Sequence, residues 1–466
     1  MPVSIAQIGM NFINEIEEML SEGRGLRRFA EIERDMTHIT QKYACELASQ
    51  YLEELDDRLL ADKAGRRAAG YSVERRFDER RLLTTFGELH YARTYYSHKD
   101  GGYAYLLDDA VGLEGYSRVS DGVSVSLAEA ACQMSYAKSS RYVVDGAVSR
   151  QTVMGKVREC RAVRSPEPPQ KRRVGALHID ADEAHITLYG GKRSIVPLIS
   201  VYEGIGKRGN RHFCKEIFHI SEYGKSPDDL WEQALSEVES RYETDGAVVY
   251  LHGDGAAWVK NGLEWFPGAK FVLDKYHKNK EITAMTAGLE ASLRKEYQIQ
   301  IRYALAQNDS RFLLELADSL VAVLPHREET IRQASGYLNN QIEGVAICSA
   351  DPEANNGGCT EPHVSHVLSS RLSSRPMAWS KKTLTKLAPM LAGGGKVELC
   401  REQPQQPQKL MLVRATKAAV KAFKKINFAS DPRAIGAMQP IVVGKRSSLY
   451  KTLRDISSLI YFPTTT

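Results

Sequence analysis

A chain of 466 residues, 42% of them hydrophobic, is long enough to bury a large core and to divide into about three domains. Its formal charge of +5 is small for that size, so a nucleic-acid partner has to be argued from where the charge sits and not from its sum. Seven cysteines without a Cys-x-x-Cys pair argue against a disulfide framework or a structural zinc site, and no apolar run approaches the ~18 residues of a membrane span.

These features, with no basic-then-apolar leader at the start, lead us to expect a protein of the reducing cytosol with no membrane partner. In region 1–74, apolar residues recur at helical spacing over 4–20 (Ile5, Ile8, Phe12, Ile16, Leu20) and 27–60 (Phe29, Ile32, Ile39). Amphipathic helices for packing or dimer formation are expected there. From 75 to 120 the pattern turns to strands at 82–86, 89–96 and 103–107, with Gly87 and 99–102 as turns, a small antiparallel β region. Its Arg80, Arg81, Arg93, Tyr91, Tyr95 and Tyr96 interleave bases with rings, as nucleic-acid backbone contacts do, although Tyr is equally a favoured strand residue.

Region 121–164 predicts short helices at 127–134, at 136–144 after a Ser135 cap, and at 150–160 after a Ser149 cap, with a break at Asp145-Gly146. A glycine-containing turn before a capped helix is the pattern of a helix-turn-helix. Arg150, Gln151 and Thr152 would face base edges, and Lys156 and Arg158 would neutralise phosphates. A proline-rich basic linker, 165–174, closes this region.

Residues 176–188, ALHIDADEAHITL, then set acids into a strand pattern. Residues two apart share a face, so His178, Asp180 and Asp182 point one way and Ile179 and Ala181 the other. Either a divalent cation offsets the crowded carboxylates, or this is the exposed face of an edge strand. Strands at 195–202 and 213–220, a helix at 226–242 capped by Ser226, and strands at 248–251 and 270–273 follow. The last two end at His252-Gly253-Asp254-Gly255 and Asp274-Lys275-Tyr276-His277.

That order of elements is the order of an RNase H-like fold, so the expected class is α+β multidomain with a mixed sheet flanked by helices. The core would occupy 175–278 and, after an all-helical insertion at 279–348 with breaks near 308–309 and 324–325, resume at 349–400. There Thr360 is expected to cap a helix carrying Glu361, and Arg371 and Arg375 flank Trp379. A polar linker at 403–408 and a basic helix at 417–425 belong to a C-terminal region, 401–466.

Transfer of phosphodiester strands uses two divalent cations about 4 Å apart, held by carboxylates from separate elements. Asp182, Asp254 and Glu361 supply three in a suitable order. Asp254 could instead cap its turn, and Glu361 complement a helix N-terminus. Asp180 and Asp182 share a face and differ by ~6.6 Å along the strand, so parity does not choose between them.

Several blocks together resemble the DDE-type insertion-sequence transposases of the Lre type, distantly Mutator-like: 82–107 (LLTTFGELHYARTYYSHKDGGYAYLL), 134–157 (MSYAKSSRYVVDGAVSRQTVMGKV), the DADEAH strand, HGDGA from His252, FVLDKYH at 271–277 and GCTEPHVSHVLSSRLSSRPMAWS from Gly358. The resemblance runs through about four fifths of the chain and its ordered set of blocks is far more specific than any one of them. It implies DNA cleavage and strand transfer with two Mg²⁺ (or Mn²⁺), a triad on Asp182, Asp254 and Glu361, and an upstream module for the element's ends. It also implies a homodimer or larger assembly on double-stranded DNA, both terminal repeats and target, in the bacterial cytosol. Asp274 and His277 match a block of less certain role, and the alignment favours Asp182 over Asp180. Two other readings stay open: a non-catalytic sequence-specific DNA-binding protein, and an RNase H-like nuclease without strand joining.

Overall fold

The computed structural model describes residues 4–21, 27–163 and 168–400. The expected linker at 403–408 and basic helix at 417–425 lie outside them. The described chain falls into two compact units, one from Met1–Arg81 and Leu89–Tyr116, the other from Leu82–Glu88 and Ser117–Arg401.

In the first unit, helices Ile5–Ser21 and Phe29–Ala61 close a small core over Ile8, Met19, Ile39 and Tyr43. The strands are Tyr71–Thr84, Gly87–His98 and Tyr103–Ala104. The first begins well before residue 82 because its opening half is exposed and highly charged, which hides the period of two from a hydropathy reading. The expected third strand stops at Ala104, since Leu106–Val111 is a helix that buries Leu106, Leu107 and Asp108. Asp108 draws in Arg80, at 2.6 Å, and Arg93. Arg80, Arg93, Tyr91 and Tyr96 are therefore interior and not a nucleic-acid surface; of the set, Arg81 is exposed.

The second unit opens with helices α1 (Asp121–Gln133), α2 (Tyr136–Val144) and α3 (Arg150–Glu159). Ser135 and Ser149 cap α2 and α3 as expected, while α1 starts six residues early because Ser120 caps it. Asp145 (φ 48) and Gly146 (φ 81) turn the chain through left-handed backbone between α2 and α3.

A five-stranded mixed sheet follows, built from β1 (Ala176–Thr187), β2 (Arg193–Tyr202), β3 (Phe218–Ile220), β4 (Val248–Gly253) and β5 (Lys270–Leu273). Its spatial order is β3-β2-β1-β4-β5, with β1 antiparallel to β2, β2 antiparallel to β3, and β1, β4 and β5 parallel. β1 is thus the central strand, which removes the exposed-edge reading of its acids. The strand expected over 213–220 is interrupted: Ile205–Arg208 and Arg211–Cys214 form a separate hairpin, and only β3 joins the sheet.

On one face Leu177, Ile179 and Ala181 pack against Trp231 and Val238 of α4 (Pro227–Arg241), whose Ser226 and Asp229 form a capping box. A second core joins Ala184 and Ile186 of β1 to Leu127 of α1, Val153 of α3 and Leu384 of α11 (Lys381–Ala392), so the three-helix segment shares its interior with the sheet. After β5 come α5 (Lys275–Thr286), α6 (Ala291–Ala306), α7 (Ser310–Val323), α8 (Glu328–Asn340) and α9 (Ile342–Ala350), which bury a core of their own. The breaks at 308–309 and 324–325 fall where expected. Helix α10 (Thr360–Val364) carries Glu361; its cap position is Cys359, not Thr360, whose hydroxyl instead donates to the Asp274 carboxylate.

Close packing of β4 on β1 makes Gly253 sensitive to size. A Cβ there would lie 2.6 Å from Val259 Cγ1 and 2.8 Å from the Ala181 carbonyl, and the latter is backbone that cannot swing away. Gly253→Ala is expected to lower stability by about 1–3 kcal/mol in urea denaturation. Gly175→Ala, with nothing within 4 Å of its Cβ, serves as the unaffected control.

Candidate carboxylate site at the ends of three parallel strands

The ladder between β4 and β1 pairs Val248 with Ala176 and His252 with Asp180, a constant offset of 72 residues. The ladder ends at that pair; Asp254 follows the last residue of β4, and its charge acts on Asp182. On the other side β5 pairs Leu273 with Gly253, and the Asp274 N–H donates to the Gly253 carbonyl at 2.9 Å. Asp254 and Asp274 thus each follow the last residue of a parallel strand, β4 and β5, while Asp182 lies within β1.

Asp182 is buried, and its carboxyl is pushed up to about 6, chiefly by burial; the charges of Asp254 and Glu361 also raise it, while the Glu183 N–H and His277 act the other way. The three candidate carboxylates therefore share one electrostatic field. Asp254 Oδ1 accepts the Ala256 N–H at 2.8 Å, so one oxygen of this residue does cap its turn. Beneath the turn, Tyr337 of α8 donates its hydroxyl to the Asp254 carbonyl. Gly255 (φ +84) lies against Gln341. Glu361 stands exposed in the first turn of α10.

Asp274 caps α5 through the N–H groups of Tyr276 and His277, at 2.6 and 3.2 Å. Burial alone would raise its pKa, but His277, Thr360 and the two backbone donors hold it below the usual carboxylate value. His277 Nδ1 lies 3.5 Å from Asp274, and that contact raises the imidazole's pKa, with Asp182 and Asp254 adding to it. Asp182 and Asp254 thus favour the protonated form of this imidazole.

Asp180 sits in a different environment. Fully buried, it accepts the Tyr202 hydroxyl and the Cys359 N–H, each at 2.9 Å, and faces His363 Nδ1 at 3.1 Å. These contacts tie β1 to the loop and helix that carry Glu361. Next to it His178 Nδ1 meets His252 Nε2 at 3.1 Å, and burial pushes both imidazoles down, His252 to about 4. Cys214 Sγ approaches His363 Nε2 to 3.5 Å, and the Cys359 thiol is pulled down to about 7, mostly by its contact with Cys214. Tyr202, Tyr337 and Cys214 had no motif to signal them; Cys359 and His363 lie inside the block from Gly358, where only Glu361 drew attention as an acid.

Carboxylate oxygens are the donors that hard divalent cations take, and the raised Asp182 is a charge such an ion would relieve. Among the described residues no three His, Cys, Asp or Glu side chains are gathered within a single coordination sphere.

On α3, Arg150 and Gln151 are exposed, and the Thr152 hydroxyl lies 3.0 Å from Ser149 Oγ. Lys156 is buried with Nζ 2.8 Å from Glu159, and Arg158 bonds Thr383 and Ser380 at 3.0–3.1 Å. Intramolecular partners therefore occupy the two side chains expected at phosphates. Arg371 is buried too: its Nε donates to the Ala131 carbonyl at 2.6 Å and its guanidinium lies 4.8 Å from the Trp379 ring centroid. Arg375 is exposed.

The sequence pattern of an uncharacterised protein family, UPF0236, matches residues 23–402. The chain belongs to that family. UPF0236 protein TTE2489 of Caldanaerobacter subterraneus subsp. tengcongensis is 32% identical over 468 residues, covering 98% of this chain and 99% of that protein. UPF0236 protein TTE0402 of the same organism is 32% identical over 464 residues, covering 97% and 92%. A third relative there, 32% identical over 466 residues and covering 97% of each chain, carries eleven locus designations under one name. The family is thus present as many paralogues in one genome. Among the described residues no helix is long and apolar enough to cross a membrane.

The two aspartates of β1 should respond oppositely to loss of charge. Between the ordinary value of 3.8 and about 6 the folded state holds a proton on Asp182 that the unfolded chain releases, so stability falls as pH rises through that window and stays lowered above it. Asp182→Asn removes this burden, and in EDTA at neutral pH it should gain about 1–3 kcal/mol, a gain that vanishes at acid pH below the window. Asp180→Asn breaks a satisfied buried carboxylate and should lose about 1–3 kcal/mol. Urea denaturation of both variants checks this; shifts of the same sign would mean the two acids do not differ as described.

Proposed function

We propose that this protein is a DDE-type transposase: it binds the ends of a mobile DNA element and catalyses metal-dependent cleavage and strand transfer on an RNase H-like core. The observation that carries the reading is that Asp182, buried on the strand that β4 pairs with in parallel, feels the charges of both Asp254 and Glu361. The sheet order β3-β2-β1-β4-β5, with three antiparallel strands followed by two parallel ones, supports the RNase H-like assignment. A related product name that spans eleven loci of one genome is what spread of a self-copying gene produces.

Asp182, Asp254 and Glu361 would hold Mg²⁺, which when bound would activate the attacking oxygen and stabilise the leaving one. The protein's own part is positioning. Tyr337 pins the Asp254 backbone, Asp180 holds the Glu361 helix against β1 through Cys359 and His363, and His277, braced by Asp274, lies within electrostatic reach of Asp182 and Asp254. On α3, Arg150 and Gln151 are the exposed side chains available to read base edges.

Purified protein incubated with Mg²⁺ and labelled duplexes bearing the flanking inverted repeats should give free 3′ hydroxyl ends and joined products. Asp254→Asn and Glu361→Gln should each abolish cleavage yet bind element ends as the unmodified protein does. Cleavage by either variant at the unmodified rate removes that residue from the site. Binding without cleavage by the unmodified protein leaves only the DNA-binding reading, and cleavage without joining leaves the nuclease. Arg150→Ala or Gln151→Ala should reduce the preference for ends over random DNA by ~1–3 kcal/mol.

A further inference from the structure

Residues 205–215 contain Lys207, Arg208, Arg211 and Lys215 and no acid. They leave the central sheet as a hairpin, Ile205–Arg208 against Arg211–Cys214, around Gly209-Asn210. Gly209 at φ +60 occupies the first central position of the turn, where a type II′ hairpin requires positive φ. The Phe213 ring covers Gly206 across the ladder, so closely that a Cβ on Gly206 would lie 2.6 Å from it. All four cations and His212 are exposed.

Two observations set this ribbon apart from an ordinary solvated turn. Its register places Arg208 opposite Arg211 and Lys207 opposite His212, so like or potentially like charges face each other where opposite signs would stabilise. The nearby acids do not relieve this, because Glu203 and Glu216 both pair with Arg172, at 2.7 and 3.6 Å. Among the described residues none of the four hairpin cations forms an ion pair. The ribbon's base, moreover, abuts the candidate site: Cys214 Sγ lies 3.5 Å from His363 Nε2, and His363 is two residues from Glu361 in α10. Alternate cross-strand pairs share a face, so Lys207 and His212 project from the side of the ribbon that carries Cys214.

We propose that this hairpin is a clamp on the phosphate backbone of duplex DNA beside the scissile bond, separate from the base-reading face of α3. The inference rests on the function proposed above. A two-stranded ribbon is narrow enough to enter a duplex groove. Phosphates would supply the opposing charge that the ladder lacks, and the contact through His363 places the grip next to the carboxylates that act on the strand.

The test is fluorescence anisotropy with a short random-sequence duplex over a range of salt concentrations, comparing the full-length protein with a Lys207→Ala/Arg208→Ala/Arg211→Ala variant. Each lost phosphate contact should lower the slope of log affinity against log salt by about 0.9, so the triple variant should lose about 2–3 units of slope and on the order of 10–100-fold in affinity at low salt. Its melting temperature should stay level or rise, because opposed like charges have been removed. Arg208→Lys/Arg211→Lys, which keeps the charge, should retain the slope. If the unmodified protein binds the duplex and the triple variant shows the same slope, the clamp is refuted and the DNA-processing reading stands. A slope lost equally in the Lys variant also overturns it, since charge would then not be the cause. No binding by the unmodified protein would overturn the DNA-processing reading itself.

Discussion

The parallel ladder between β4 and β1 is the constraint on which the rest of this architecture depends. Its offset sets His252 opposite Asp180, and a slip of one residue would turn every side chain of β4 to the opposite face. Two features hold the register. Leu177, Ile179 and Ala181 must face Trp231 and Val238, and Gly253 approaches the Ala181 carbonyl more closely than any side chain allows. Apolar packing on one side of the sheet thus fixes where charge sits on the other.

Along that fixed strand, Asp180 and Asp182 have the same chemistry and the same orientation but opposite circumstances. Asp180 has a hydroxyl, a backbone N–H and an imidazole around it, all from elements that must be held together. Asp182 has one backbone donor and two acids within electrostatic reach. A buried carboxylate of the first kind behaves as a strut. One of the second kind stores electrostatic strain, which a ligand can convert into affinity.

Much of this was legible from periodicity and cap chemistry. Ser135, Ser149 and Ser226 marked helix starts correctly because an N-cap is a local interaction. The succession of strands and helices followed from alternation and turns; β5 ends where its polar tetrapeptide begins, while β4 runs two residues into its own, to Gly253. What failed was mostly non-local. Arg80 and Arg93 looked like surface bases because Asp108, their partner, lies elsewhere in the sequence. Lys156 and Arg158 sit at polar helix positions, yet Glu159, Ser380 and Thr383 draw them in. Thr360 fits a cap by composition, and only the spatial arrival of Asp274 gives its hydroxyl another use. Face parity likewise could not show that Tyr202, Cys359 and His363 gather around Asp180 and not around Asp182.

The strut formed by Asp180 also sets an order of events during synthesis. Its partners Cys359 and His363 leave the ribosome long after β1 does, the first of them 179 residues later. Loop closure over that span is entropically costly. Until it occurs, Asp180 lacks its backbone donor and its imidazole, and the loop leading to Glu361 has no anchor. A partly made chain therefore has neither a settled central strand nor the third acid. The contacts that tie β1 to the loop before Glu361 therefore form only after residue 359 is made, and fragments ending before it would lack them however well their earlier helices fold.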